Sequence, residues 1–395
     1  METQPASAAT RPPRVLFVVT EDWYFLSHRL QLATRIQNDG FEVAVATHKQ
    51  SAFEPIADAG IELFNIPFER SLRHPLADFR ALLALRATMR EWQPDIVHLV
   101  SLKPIILGAL AARSVRLDAV GIWAFTGMGF LFSSSRLLAR ILKPLVLALI
   151  RSLYRRGRDA AIVQNDEDGS VVDGEILRGS GSVSLIRGAG VDCSIFHPPA
   201  PPTQTDDANP IVLLPARLLH DKGVCEFVDA ARELKSHSSN PRFVIVGMID
   251  AANHGAIDEQ RVTQWVDESI VEWWGHRDDM AAVIRDAAVV CLPSYREGLP
   301  KALLEAAACG RPMIATDVAG CRDVCRHDQT GLLVPLKNSA ALAAAIRKLL
   351  NDSAQRDRMG RAARELAENE FSIELVASQT TALYRRMTSR NEALR

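Results

Sequence analysis

The sequence lacks long apolar runs and an excess of charge of either sign. No stretch reaches the roughly 18 uncharged apolar residues of a transmembrane helix, and residues 1–13, rich in Ala, Pro and Thr, contain no apolar signal core. The 46 basic and 47 acidic side chains leave a formal net charge of -1, so no overall field attracts the chain to nucleic acid. We therefore expect a cytoplasmic protein without a nucleic-acid partner.

Cysteine is scarce, and two common cofactor motifs are missing. The six cysteines lie mostly inside apolar stretches and lack the short paired spacings of a zinc or disulfide framework. The G-x-G-x-x-G dinucleotide loop and the Walker A loop are absent, which argues against an oxidoreductase and an ATPase. We interpret the cysteines as reduced core residues: Cys193, Cys225, Cys291, Cys309, Cys321 and Cys325.

Short β-branched apolar runs alternate with helical patterns along the chain. This alternation is typical of a parallel sheet covered by helices. A helix over 30–38 places Leu30, Ala33 and Ile36 on one face and ends before Gly40. In the first half the predicted strands are 14–20, 41–47, 61–67, 95–100, 119–125, 160–164 and 183–187.

A polar, proline-rich stretch, PPAPPTQTDDANP at 198–210, suits an exposed connector between two halves. We predict an α/β protein with two Rossmann-like doubly wound domains, 14–197 and 208–371, that face a central cleft at the carboxyl ends of their strands. After the connector the predicted elements are strands 211–216, 243–247, 271–274, 288–293 and 313–316, with helices 224–234 and 301–309.

Two cations, Arg217 and Lys222, leave the end of a predicted strand five residues apart, in a loop before a helix. A planar guanidinium and a compact ammonium can together clamp a diphosphate. An isolated R-x4-K spacing is more often a pair of solvated loop cations. The interpretation as a diphosphate clamp therefore depends on a second motif.

The second motif reads PSYREGLPKALLEA. Glu297 lies in the loop between a strand and a helix, and Pro300 stands at or just before the first helical turn, where its missing N–H costs little. The N–H groups near Gly298 and Leu299 form an anion site at the helix start. Glu305 is either a helix-surface acid or, given the apolar residues around it, a buried carboxylate with a partner.

The two motifs and their strand–helix frame resemble the family-4 retaining glycosyltransferases of the GT-B fold. The resemblance spans nearly the whole chain and includes Gly320 and the run TGLLVP at 330–335. It implies a nucleoside-diphosphate sugar, expected to be a UDP-sugar, as co-substrate. It also implies that a last helix, about 372–387, packs back on the N-terminal domain.

The resemblance assigns roles to the residues of both motifs. Arg217 and Lys222 fall on the positions that bind the donor diphosphate, so we expect no metal to be required. Glu297 falls at the donor sugar, and Glu305 on the carboxylate that holds the ribose. The predicted catalytic residues are thus Glu297, Arg217 and Lys222. The predicted donor-binding residues are the same three together with Gly298, Leu299, Pro300 and Glu305.

The N-terminal half resembles members that extend sugars on polyprenyl diphosphate carriers. The segments are DWYFLSHR, SLKP and FTGMG. Many family members have a Gly-rich first loop and a His after the fifth strand, whereas this chain has Glu21-Asp22-Trp23 and Thr126. The predicted acceptor-binding residues are His28, Arg29, Lys103 and Thr126.

The segment 130–158 contains seven basic residues, no acidic residue and many leucines. This composition suits a helix that lies in a membrane interface, so we predict peripheral contact with an anionic membrane at its cytoplasmic face. The alternative is a buried helix with a basic solvent face, which Pro144 and the dense leucines also suit.

These observations predict transfer of a hexose or N-acetylhexosamine to a lipid-linked, polyprenyl-diphosphate sugar during surface polysaccharide or glycan synthesis. One alternative is a UDP-sugar 2-epimerase of related fold, which would use the same nucleotide pocket. The other is a non-catalytic, two-domain sugar-binding protein, which would not need a diphosphate clamp.

Overall fold

A computed structural model describes residues 11–50, 53–69, 75–126, 137–179, 182–199, 209–235, 241–251, 253 and 255–393. The chain divides into two compact units. Unit 1 comprises Met1–Val163, Gly169–Ser184 and Ala377–Arg395, and unit 2 comprises Gln164–Asp168 and Leu185–Val376. Most of the predicted connector lies outside the described residues, and the predicted domain limits stay predictions.

Unit 1 is built on a seven-stranded sheet of order β3-β2-β1-β4-β5-β6-β7. Strands β1 to β6 pair in parallel, and the central strand β1 is buried from Val15 to Val19 because helices cover both faces. The strands are β1 Arg14–Glu21, β2 Glu42–His48, β3 Glu62–Asn65, β4 Ile96–Val100, β5 Val120–Phe125, β6 Asp159–Val163 and β7 Val183–Leu185.

The helices between these strands include three that share one core. Leu85 of α4, Ile105 of α5 and Ile150 of α6 pack in the same apolar cluster as alternate residues of the sheet. The helices up to β7 are α1 Asp22–His28, α2 Leu30–Asn38, α3 Phe53–Asp58, α4 Pro75–Trp92, α5 Leu102–Ser114, α6 Leu137–Leu153 and α7 Asp166–Val171.

Unit 2 repeats the plan with a six-stranded parallel sheet of order β10-β9-β8-β11-β12-β13. Strand β13 lies in the run TGLLVP, where our strand prediction had none. The strands are β8 Ile211–Pro215, β9 Arg242–Val246, β10 Glu272–Trp273, β11 Ala287–Leu292, β12 Met313–Thr316 and β13 Gly331–Val334.

The helices of the second half begin with α8, whose bounds match the prediction. They are α8 Val224–Leu234, α9 Glu259–Asp267, α10 Met280–Asp286, α11 Lys301–Ala308, α12 Ala319–Val324, α13 Ser339–Leu350, α14 Ser353–Leu366 and α15 Ile373–Ala393. From Ala377 onward α15 belongs to unit 1, where Tyr384 is buried and its hydroxyl lies 2.5 Å from Nδ1 of His98. Within the described residues, no helix has both the length and the apolar character to cross a bilayer.

Candidate functional site

The two motif loops of unit 2 lie side by side at the carboxyl ends of β8 and β11. Gly223 ends the first loop at φ 71°, and a Cβ there would lie 2.1 Å from the carbonyl oxygen of Pro293, so only glycine permits this approach. The backbone N–H of Tyr295 in the second loop donates to the carbonyl of Asp221 in the first, at 2.7 Å. Backbone contacts therefore hold the two loops together.

This packing brings Lys222 and Glu297 into contact. Nζ of Lys222 lies 2.5 Å from Oε1 of Glu297, and the two side chains are only 21% and 12% exposed. Arg217 stands on the same loop but pairs with Asp250, with Nη1 2.7 Å from Oδ2, and it is 43% exposed. A half-buried cation and a more exposed one thus lie at this strand edge, and both have carboxylate partners that a ligand phosphate could replace.

Glu305 is buried on α11 and has a partner. Oε1 lies 3.1 Å from Nζ of Lys301, one helical turn earlier, and the carboxylate is 10% exposed. Burial raises the pKa of Glu305, and the Lys301 ammonium lowers it in part. The structure therefore favours the buried carboxylate over the surface acid.

The start of α11 offers backbone donors. Pro300 is its N-cap and makes no side-chain cap, so the side chain of this residue satisfies none of the first N–H groups. The Nδ2 group of Asn165, which lies in the unit 2 segment after β6, donates to the carbonyl of Gly298 at 2.9 Å. The second motif loop, which carries Glu297 and Gly298, therefore has a side-chain support that lies far from it in sequence.

Sequence reasoning missed several neighbours of these residues. Asp250 and Asn165 carry no motif signal, because they follow strands β9 and β6 in loops of ordinary composition. Tyr295 stands inside the second motif, and its hydroxyl donates to Oε1 of Glu226 at 2.6 Å. Burial and the Glu226 carboxylate raise the pKa of Tyr295. Its position between Ser294 and the motif glutamate was the available signal.

The predicted acceptor residues of unit 1 lie in two places. The ring of His28 stacks on Tyr24 with 4.3 Å between centroids, and Nδ1 lies 2.5 Å from Oγ of Ser27. Arg29 is only 4% exposed. Its charge lowers the pKa of buried His98, after the larger effect of burial itself.

Lys103 and Thr126 both follow central strands of the unit 1 sheet. Nζ of Lys103 donates to Oδ1 of Asp78 and to the carbonyl of Glu69, each at 2.7 Å. Oγ1 of Thr126 lies 2.7 Å from Oγ of Ser101. In this state the Lys103 ammonium is engaged by protein oxygens, and its role toward an acceptor stays a prediction.

Within the part of the chain that the structure describes, no group of three or more His, Cys, Asp or Glu side chains is placed to hold a metal ion. The six cysteines are free thiols, and burial raises the pKa of Cys309 and of Cys325 to about 12.

Two family models match the chain. One, described as Glycosyl transferase 4-like, matches residues 14–165, and the other, described as Glycosyl transferases group 1, matches 209–352. A putative glycosyltransferase of Bacillus subtilis, EpsD, is 30% identical over 369 residues, which cover 90% of this chain and 92% of that protein. The chain belongs to the family-4 glycosyltransferases.

The chain is also similar to a second glycosyltransferase in sequence and to a solved structure in fold. The Campylobacter jejuni N,N'-diacetylbacillosaminyl-diphospho-undecaprenol alpha-1,3-N-acetylgalactosaminyltransferase is 24% identical over 387 residues, covering 92% of this chain and 98% of that protein. The structure of Anabaena HepE in complex with UDP-glucose superposes with a TM-score of 0.74 at 18% identity and covers 95% of this chain and 99% of that one. The GT-B fold and the glycosyltransferase activity predicted from the sequence are thereby confirmed, and the 2-epimerase alternative receives no support.

Proposed function

We propose that this glycosyltransferase moves a hexose or N-acetylhexosamine from a UDP-sugar to a polyprenyl-diphosphate-linked sugar, with retention at the anomeric carbon. The observation that carries the donor half is the Lys222–Glu297 pair at 2.5 Å, which joins the loop that also carries Arg217 to the loop that leads into α11. The Campylobacter relative, whose name specifies an undecaprenol-diphosphate acceptor, supports the acceptor half.

The chemistry assigned to this site is a front-face substitution. An acceptor hydroxyl oxygen forms the new bond to the anomeric carbon on the side from which the nucleoside diphosphate leaves. The bond between that carbon and the phosphate oxygen breaks, and the hydroxyl proton passes to the departing phosphate. Lys222 leaves Glu297 for the diphosphate, Arg217 adds a second cation, and the N–H groups near Leu299 complete the stabilisation of the leaving group.

On this proposal the protein's own cations do the work that a divalent ion does elsewhere. We expect turnover to be unchanged by a chelator such as EDTA and by added magnesium. Loss of turnover on chelation, restored by a metal ion, would contradict metal independence.

The donor proposal is tested by thermal melting with a panel of nucleotide sugars and their nucleoside diphosphates. A true donor at 100 times its dissociation constant adds roughly 2.7 kcal/mol to the stability of the folded state. Product analysis with a short synthetic lipid diphosphate sugar then tests transfer. The proposal fails if no nucleoside diphosphate raises the melting temperature, and the acceptor half alone fails if donor binds but no lipid-linked sugar is extended.

We also propose that the protein meets an anionic membrane from the cytoplasmic side, through unit 1. Part of the predicted segment, 130–136, lies outside the described residues. Four described basic side chains of 137–158 already have partners within unit 1, so they are less suited to lipid than the sequence suggested. The contacts are Lys143 with Glu175, Arg151 with the Ile176 carbonyl, Arg155 with Asp159 and Arg158 with Asp118.

Exposed apolar residues on helices of the same layer offer a better membrane contact. On α4, Leu76, Phe79 and Leu83 are 75%, 57% and 44% exposed and fall on one helical face, and on α6 Leu145 is 65% exposed. The exposed face of α4 also carries arginines, including Arg80. Apolar residues flanked by cations are typical of an interfacial surface.

The membrane proposal is tested by sedimentation with phosphatidylglycerol vesicles. We expect the double variant Leu76→Ser and Phe79→Ser to lose binding, while Ile195→Ser, at an apolar position of unit 2 that is 49% exposed, retains it. Equal sedimentation of the double variant and the parent would contradict the membrane proposal and leave the donor site untouched.

A further inference from the structure

Asn165 is a buried polar residue outside every predicted motif. It follows β6 and is 2% exposed. Its segment, Gln164–Asp168, belongs to unit 2, although the chain before and after it belongs to unit 1. Asn165 therefore belongs to unit 2 through one short segment of the chain.

The amide of Asn165 is held in one orientation. Nδ2 donates to the carbonyl of Gly298 at 2.9 Å and to Oδ2 of Asp168 at 3.1 Å. Oδ1 accepts from the backbone N–H of Asp168 at 2.7 Å. Both N–H bonds and the carbonyl are engaged, and a flipped amide would oppose like groups at the Gly298 carbonyl and the Asp168 N–H.

The bond to Gly298 controls the next peptide group. In a trans peptide, the carbonyl of Gly298 and the N–H of Leu299 point in opposite directions from one rigid plane. When Asn165 holds the carbonyl, the N–H of Leu299 is held pointing away from Asn165. This N–H belongs to the second motif loop, which precedes α11.

Gly320, at the start of α12, packs against the same Gly298 carbonyl. A Cβ placed on Gly320 would lie 2.2 Å from the oxygen of Gly298 and 2.9 Å from the oxygen of Glu297. The backbone of α12 thus packs directly against this loop, and the glycine is required for that approach. Asn165 and Gly320 together leave the Gly298–Leu299 peptide little freedom to rotate.

We propose that Asn165 is a positioning residue for the donor diphosphate, which it serves by fixing the Leu299 N–H in the direction of the bound phosphate. This role rests on the proposed donor site. Preorganised backbone donors are effective because they need no reorientation when charge develops on the leaving group. The ribose contact assigned to Glu305 does not depend on this peptide.

The test measures the affinities of UDP and uridine by calorimetry, together with turnover. For Asn165→Ala we expect UDP binding and kcat to fall by about tenfold, less than the hundredfold or more that follows outright removal of an oxyanion donor. Uridine binding should be unchanged, since uridine has no phosphate. A residue that merely stabilises the fold would affect both ligands alike.

Two companion variants keep the outcome decisive. Asn165→Asp preserves size but removes both N–H donors, and it replaces Asn165→Ala if that variant does not fold. Gln164→Ala truncates the adjacent buried amide and should leave UDP binding intact. Parental UDP affinity and turnover in the Asn165 variants, or equal losses for UDP and uridine, would overturn the positioning role. If the parent itself binds no nucleoside diphosphate, the donor site fails and this role with it.

Discussion

The charged candidates of the two units differ in what holds them. In unit 2, Lys222 contacts Glu297 and Arg217 contacts Asp250, and each pair bridges separate loops at a strand edge. In unit 1, Arg29 is buried and Lys103 is bonded to Asp78 and to a backbone carbonyl. A ligand phosphate can exchange with a carboxylate between loops more readily than with several oxygens around an enclosed ammonium.

The difference helps to explain why the sequence motifs predict a more definite set of residues for the donor than for the acceptor. On the proposed function every nucleoside-diphosphate sugar presents the same diphosphate, so the proposed clamp needs the same charges in the same loops. The acceptor-binding residues predicted in unit 1 have no such common requirement, because acceptor glycans differ in their sugars. The buried groups of unit 1 also include His98 and Tyr384, whose contact joins β4 to the last helix.

The largest effect should come from Lys222. Lys222→Ala removes the half-buried cation of the proposed clamp, and we expect kcat to fall more than about a hundredfold while the fold is retained. Arg217→Ala should lose activity on the same scale. The control is Lys348→Ala, an exposed lysine of unit 2. Near-parental turnover of purified Lys222→Ala would contradict the proposal that Lys222 binds the donor diphosphate.

A smaller effect is expected at Glu305, measured as the affinity of UDP and uridine. Glu305→Ala should weaken both by about tenfold, the scale of one charged hydrogen bond, because the ribose is common to them. Glu365→Ala, an exposed acid on α14, serves as the control. Unchanged nucleotide affinity in calorimetry would contradict the ribose role.

The buried position of Glu305 also predicts how the stability of the fold depends on pH. Since burial raises its folded-state pKa, protonation of Glu305 stabilises the fold below the ordinary pKa of 4.5, and that stabilisation is lost as pH rises through the folded pKa. Glu305→Gln should therefore raise the melting temperature at neutral pH, with the gain disappearing in acid. A gain that persists equally at low pH would point to packing and not to charge.

The smallest effect is a pH dependence of stability at His98. Its sign is opposite to that expected at Glu305. Burial, and then the Arg29 charge, lower its folded-state pKa well below 6.5, so the unfolded chain takes up a proton that the folded chain does not. The stability present above pH 6.5 should fall as pH decreases, by up to about 1.4 kcal/mol per pH unit. We expect His98→Gln to flatten this slope relative to exposed His276→Gln. An unchanged slope would show that His98 does not dominate acid sensitivity.

Much of the fold was predictable because local pattern and tertiary role agree. Helices 30–38 and 224–234 and strand 313–316 have the predicted bounds, since buried parallel strands are continuous apolar runs and their helices have one apolar face. Strand β13 was missed because its short run, GLLV, looks like many loop ends. The segment 130–158 was predicted to contact a membrane from its basic residues and leucines, and the sequence could not show that Arg155 pairs with the nearly unexposed Asp159.

The sequence by itself determined the alternating α/β plan, the family and the motif residues, because these follow from periodicity and from short local spacings. Tertiary structure decided which charges meet. The contacts of Lys222 with Glu297, Arg217 with Asp250 and Asn165 with the Gly298 carbonyl join residues 75, 33 and 133 positions apart. The first two contacts arise because parallel strands of the unit 2 sheet bring their carboxyl ends to one edge, and no local pattern encodes any of the three.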